Sequence, residues 1–158
     1  MMKLKPYSVI FPLVTLFVAG LGSMFTSGGM EWYDAELIQP EITPPNWVFP
    51  IAWNLIFLAT TISALIVWNT FKRDDRFKWI LGLFLTNGFL NVLWSYLFFG
   101  KHLVTLAFYE MLFLELTLLV LHVLTWKKSK NASLLLLPYT LWIAFATYLT
   151  YQIILLQA

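Results

Sequence analysis

Five apolar runs, each long enough to cross a bilayer, constrain this chain more than any other feature. A membrane-spanning helix needs about 20 mostly apolar residues, and the segments 7–25, 46–71, 77–99, 103–126 and 133–156 meet that requirement. The composition agrees: 60% of residues are apolar and 11% charged, against about a quarter charged in a soluble domain. Backbone N–H and C=O groups in hydrocarbon must be paired within the protein, and a helix does this inside one run. Short links between antiparallel helices give an up-and-down bundle. The expected fold is therefore an all-α membrane protein, one domain over residues 1–158, built as a five-transmembrane-helix bundle. Its one long connection, a Pro- and Trp-rich loop between helices 1 and 2, is expected to cover about 20 residues, well above the usual loop length. Lys3 and Lys5 before the first run give it the outline of a secretory signal. That run is as long as a full span and no A-x-A-like site closes it, so it reads as a retained first helix.

The basic residues set an orientation. Of the 10 Lys and Arg, only Lys101 falls on one side of a five-span frame. Lys3, Lys5, Lys72, Arg73, Arg76, Lys78, Lys127, Lys128 and Lys130 share the other. Positive charge collects on the cytoplasmic side, which predicts a cytoplasmic N-terminus and a C-terminus outside, together with Glu31, Asp34, Glu36 and Glu41. The basic runs are read as topology and anionic-lipid contact, with no catalytic part. A chain without Cys has no disulfide, thiolate metal site or Cys nucleophile. His102 and His122 stand at either end of the fourth run, too far apart to share a metal, so no metal site is expected. No Ser-His-Asp set, Walker loop or GxGxxG is present. The basic residues are not interleaved with aromatics on a soluble face, so no nucleic-acid partner is expected.

The stretch 32–53, WYDAELIQPEITPPNWVFPIAW, concentrates Trp, Tyr and Pro. Pro40, Pro44 and Pro45 lack backbone donors and push the residues before them toward extended geometry, so most of it reads as a folded aqueous loop. Its aromatics admit two readings, an interfacial belt or a lid over a pocket. Deeper polar groups bear on the choice, because such side chains usually face the bundle interior. Asn87 and Asn91 lie four apart on one face with Trp94 three further on. Asn54 follows Trp53, and Ala146 and Thr150 share a face with Trp142. Counting 1.5 Å per residue puts Trp53 roughly 10 Å, Asn91 roughly 12 Å and Ala146 roughly 15 Å below the outer side, with Trp142 one turn deeper. All share the half of the membrane beneath the Pro-rich stretch, and that coincidence favours a pocket. Trp68, Trp79 and Trp126 fall at the opposite helix ends and fit the belt.

Other features carry plainer expectations. Asn87 and Asn91 serve either a ligand or a neighbouring helix. Glu110 and Glu115 are expected to make interhelical hydrogen bonds in preference to coupling protons. Pro12, Pro50 and Pro138 each free a carbonyl one turn earlier, with a kink or opening expected. Gly82 and Thr86 form a small-xxx-small pair suited to packing within the bundle or to a dimer seam.

Three motifs in order resemble those of the tryptophan-rich sensory protein family, TspO/MBR, which includes the mitochondrial translocator protein, or peripheral-type benzodiazepine receptor. The first is Trp32-Tyr33, Leu37, Pro40, Pro44-Pro45, Trp47-Val48-Phe49 and Trp53. The second is Asn91-Val92-Leu93-Trp94 with Phe98-Phe99. The third is Pro138-Tyr139, Leu141-Trp142, Ala144 and Ala146-Thr147. Together they cover nearly the whole chain. The resemblance implies a five-helix bundle, commonly a homodimer, in a bacterial cell membrane. It further implies one pocket for porphyrins such as protoporphyrin IX, for haem, and for isoquinoline or benzodiazepine ligands, with no obligatory cofactor. Carried over by motif, the lining is Tyr33, Pro45, Phe49, Trp53, Phe57, Asn91, Trp94, Trp142, Ala146 and Leu149. Flat aromatic walls suit a tetrapyrrole, and an Asn amide or Tyr hydroxyl supplies a directional hydrogen bond.

The chain departs from the family pattern in two places. It is one residue longer between Tyr33 and Pro40, and Gln39 stands where Lys is usual, so a salt bridge from that Lys to a ligand carboxylate is lost. The family's cholesterol motif needs a basic residue shortly after a Tyr in the fifth helix. Tyr148 and Tyr151 here run on to Ala158 without one, and cholesterol is not expected as a partner.

Three functions compete at this level. The first is a sensor or transporter that binds porphyrin-type molecules. The second is a light- and oxygen-dependent porphyrin-degrading enzyme with Trp53 and Trp142 in its chemistry, and the third is a ligand-free membrane scaffold.

Overall fold

The computed structural model describes residues 6–158; Lys3 and Lys5, used above for orientation, lie outside the described residues. Regular structure among the described residues is helical throughout: α1 (Tyr7–Glu36), α2 (Val48–Thr70), α3 (Asp75–Ser95), α4 (Val104–Trp126), α5 (Lys130–Leu134) and α6 (Leu137–Gln157). A π-helical turn, Tyr96–Gly100, continues α3. Five spans are long and apolar enough to cross a membrane: α1, α2, α3 with its π turn, α4, and α5 with α6.

Helix boundaries follow local chemistry. Asp74 caps α3 by accepting the Phe77 N–H at 2.9 Å, and Ser129 caps α5 by accepting the Ala132 N–H at 3.2 Å. Pro138 has no N–H to offer one turn back, and the fifth span breaks there into α5 and α6. Pro12 lies within α1. Pro50 falls in the first turn of α2, where a backbone N–H has no intrahelical acceptor, so it frees no carbonyl.

The long loop is not found. The first helix continues to Glu36, leaving only Leu37–Trp47 between α1 and α2. Glu31, Asp34 and Glu36 are too polar for lipid, but no proline interrupts them, and acidic side chains do not stop a helix emerging into water. The helix ends where Leu37 turns extended (φ −92°, ψ 130°), shortly before Pro40.

The spans form a closed ring in which α1 packs on α2 and α3, α3 on α4, α4 on α6, and α6 on α2. Lys72, Arg73, Arg76 and Lys78 flank the α2–α3 link, and Lys127, Lys128 and Lys130 flank the α4–α5 link. Both links fall at one end of the bundle, hereafter the basic end. Side chains tie the helices together there. Tyr7 Oη donates to Asn69 Oδ1 at 2.6 Å, the Thr15 and Thr61 hydroxyls are 2.7 Å apart, and Ser63 Oγ donates to the Ala132 carbonyl at 2.6 Å. The Arg73 guanidinium lies 4.1 Å from the Trp68 ring centre and 4.2 Å from that of Phe77. Trp68 also meets Tyr7 and Phe11. It is thus also part of the packing of this end, whereas Trp79 is 71% exposed.

At the other end α1 leans on the π turn. A Cβ at Gly29 would stand 2.7 Å from Phe99 Cβ and 2.8 Å from Phe99 Cα, so only glycine permits this approach. Gly29→Val is expected to lower stability by about 1–3 kcal/mol, the range for forcing volume into a packed site. Gly20→Ala, with nothing within 4 Å of the added carbon, should leave stability unchanged or slightly raised. Thermal unfolding of both variants in detergent checks the contrast.

Candidate functional site

Beyond the Thr15–Thr61 contact, a cavity opens inside the ring. One face of α1 supplies Ala19, Gly22, Ser23, Thr26, Met30 and Tyr33 at helical spacing. The start of α2 supplies Phe49, Pro50, Trp53, Asn54 and Phe57. Asn91, Trp94 and Ser95 come from α3, Phe98 and Phe99 from the π turn, and Ala146, Leu149, Thr150 and Ile153 from α6. The atom-free space is ≈ 1080 Å³, counting the open side.

Two aromatic pairs form its walls. Trp53 stacks on Phe57 (5.6 Å, 29°), and Trp94 stacks on Phe98 (5.2 Å, 27°). Tyr33, buried against Phe98 and Phe99, closes the end far from the basic residues. Polar groups are few. Asn91 Nδ2 donates to Tyr139 Oη at 3.3 Å, and Tyr139 is itself buried. The Thr26 and Thr150 hydroxyls donate to Gly22 O (3.0 Å) and Ala146 O (2.8 Å) on their own helices. They therefore offer the cavity lone pairs only. An apolar box with a few directed polar atoms is suited to a flat ring system carrying a small number of polar substituents.

Of the ten residues carried over by motif, Tyr33, Phe49, Trp53, Phe57, Asn91, Trp94, Ala146 and Leu149 line this cavity. Pro45 and Trp142 do not. Pro45 is exposed in the Leu37–Trp47 link, before the helical wall begins at Val48. Trp142 packs one layer out, edge-on to Phe49 at 5.7 Å and against Phe145, among the core residues that adjoin Trp53. Only one of the two Trp proposed for an enzyme, Trp53, faces the space.

Several other expectations change. Asn87 donates to Leu83 O at 2.9 Å on its own helix and reaches neither a neighbour nor the cavity. Interhelical hydrogen bonds from Glu110 and Glu115 are not found: both Glu110 oxygens and Glu115 Oε2 are buried without a partner. Uncommitted donors exist on α3 and α6, since Trp94 Nε1 and Thr147 Oγ1 are likewise buried without a partner, but none meets these carboxyl groups. His122 holds Ser133 Oγ and Thr140 Oγ1, each at 2.8 Å. His102, at the opposite end, stacks on Trp32 at 3.9 Å with a φ of 58°. Gln39, in the position where the family has Lys, donates to Tyr33 O at 3.4 Å. Outside the expected set, the α1 face from Ala19 to Met30 and Ser95, Phe98, Phe99 and Ile153 also line the cavity, and Tyr139 stands behind it holding Asn91. Small residues at 19, 22, 23 and 26, in step with Tyr33, were the available signal for the α1 face.

These features define a class first: an integral membrane protein of five spans with a half-open aromatic cavity within the bundle. The chain belongs to the TspO/MBR family, whose model matches residues 8–156. It is 39% identical over 147 residues to the tryptophan-rich protein TspO of Archaeoglobus fulgidus, covering 92% of this chain and 94% of that one. It is 33% identical to the tryptophan-rich protein TspO of Bacillus cereus, over 96% of this chain and 97% of that one. The human translocator protein is 32% identical, over 83% of this chain and 78% of its own length.

Tyr139→Phe should cost about 1 kcal/mol, because the buried Asn91 amide loses its acceptor. A lowered midpoint of thermal unfolding in detergent, with helix content retained by circular dichroism, is the expected result.

Proposed function

We propose that this protein binds porphyrin-type ligands, with protoporphyrin IX and haem as representatives, in the cavity between α1, α2, α3 and α6, and acts as a sensor or carrier for them. Isoquinoline- and benzodiazepine-like compounds have the same flat, apolar outline and compete for the same walls. The observation that carries this reading is the pair of stacked aromatic walls on separate helices, Trp53–Phe57 and Trp94–Phe98, with Asn91 in the same lining. Such walls gain dispersion and stacking energy from any planar ring system. No cofactor is needed for binding, and the tetrapyrrole enters as ligand. The basic end faces the cytoplasm of a cell membrane by the distribution of Lys and Arg, which puts the cavity in the outer half of the bilayer.

Titration of purified protein with protoporphyrin IX in the dark, read by quenching of Trp emission, tests this. Trp53→Ala is expected to weaken binding about tenfold, the loss of one stacked ring. Trp142→Phe should have a smaller effect and Trp126→Phe none. Absence of saturable binding would overturn the proposal in favour of a scaffold. On illumination, a discrete porphyrin product that disappears in Trp53→Phe would overturn it in favour of an enzyme.

A homodimer is also proposed, through the α3 face that carries Gly82. A Cβ at Gly82 meets nothing within 4 Å, and Trp79, Leu85 and Phe89 are exposed on the same helix. Gly82→Trp is expected to shift dimers to monomers in chemical cross-linking of reconstituted vesicles while protoporphyrin binding persists.

A further inference from the structure

The cavity has an open side, and the exposure of its lining residues locates it. Its exposed lining residues are Ser23 on α1 and Pro50 and Asn54 on α2. Those from α3, the π turn and α6 are all buried or half-buried. Tyr33, only 5% exposed, shuts one end against Phe98 and Phe99, and no residue of Leu37–Trp47 reaches the lining. The Thr15–Thr61 contact shuts the other end. The open side is therefore a slot between α1 and α2.

A slot between two membrane-spanning helices opens onto hydrocarbon. Its surroundings are apolar: Phe17 and Met24 on α1 and Ile51, Leu55 and Leu58 on α2 are all exposed. Its rim is not. Asn54 lies about 9 Å along α2 from its first residue, Val48, where an amide turned to bare lipid would be costly. One of its N–H groups donates to Pro50 O at 2.8 Å, which leaves the second N–H and the carbonyl oxygen for another partner. Ser23 adds a hydroxyl on the facing helix.

We infer that the ligand of this cavity arrives sideways out of the bilayer, through the slot between α1 and α2, and that Ser23 and Asn54 form the polar rim it meets. The inference rests on the cavity being a ligand site, as proposed above. The partner it specifies is a lipid-dissolved amphiphile with a flat apolar body. The body passes between the Trp53 and Trp94 walls while polar substituents stay at the rim. A molecule approaching from water meets the closed Tyr33–Phe98–Phe99 end instead.

The chain contains no Cys, so introduced thiols are unique. Bimane attached to S23C or to N54C in reconstituted vesicles is expected to be quenched by nitroxide on lipid acyl chains and little by iodide in the buffer. The reverse pattern would overturn the inference. In the double variant S23C/N54C, a short bis-maleimide link should slow quenching by vesicle-dissolved protoporphyrin IX about tenfold, equivalent to about 1.4 kcal/mol of added barrier. A link across D34C/N46C, whose native side chains are 3.4 Å apart at the closed end, should leave that rate unchanged. Slowing by the second link and not the first would overturn the inference. If the unlinked protein gives no porphyrin quenching at all, the ligand reading falls, and the bimane measurement alone decides whether the slot faces lipid.

Discussion

The close approach of α1 to the π turn governs the shape of this bundle. At Gly29 the α1 backbone lies so near Phe99 that no side chain fits between them. Nearby, Gly88 meets Val18 and Gly100 meets Phe25, extending the seam between α1 and the third span. An apolar helix in lipid gains little from simple burial, and small residues that allow close van der Waals contact decide where it docks. The cavity lies between α1, held against the third span in this way, and the start of α2. The aromatic walls follow from this placement, since Trp94 and Phe98 are carried by the same span that holds α1.

Much of the fold was legible because a bilayer demands a simple signal, about 20 apolar residues for each crossing. The errors fall where the chain leaves hydrocarbon. Glu31, Asp34 and Glu36 mark exit from lipid without marking the end of the helix. Hydropathy reports the solvent around a segment, whereas termination needs a change in backbone geometry, which here comes only at Leu37. Pro50 shows the complementary case. A proline that would bend a helix interior is harmless in a first turn, and the sequence alone does not say where that turn begins.

The site was legible to the extent that aromatic and amide side chains advertise themselves. Tyr33, Trp53, Asn91 and Trp94, expected from motif, line the cavity. Trp142 has the right depth but the wrong azimuth, because its indole fills the seam with Phe49 and leaves Ala146 and Leu149 to face the space. The α1 wall is less legible, since Ala19, Gly22 and Ser23 act by being small, which marks them for close helix approach as readily as for a cavity. Glu110 and Glu115 show a different gap. Sequence gives the presence of a polar group at depth, but whether a donor meets it depends on how the helices are turned, and Trp94 Nε1 and Thr147 Oγ1 are likewise buried without a partner.

The ties at the basic end have a mechanical corollary. Tyr7–Asn69 and Thr15–Thr61 fasten α1 to α2 near one extremity, and Gly29 seats α1 on Phe99 near the other. Between Thr15 and Gly29 the helix axis advances by about 21 Å, a stretch pinned at both ends. A change in the width of the slot therefore calls for bending of α1 along that stretch or a shift of α2, with Tyr33 kept on Phe98 and Phe99.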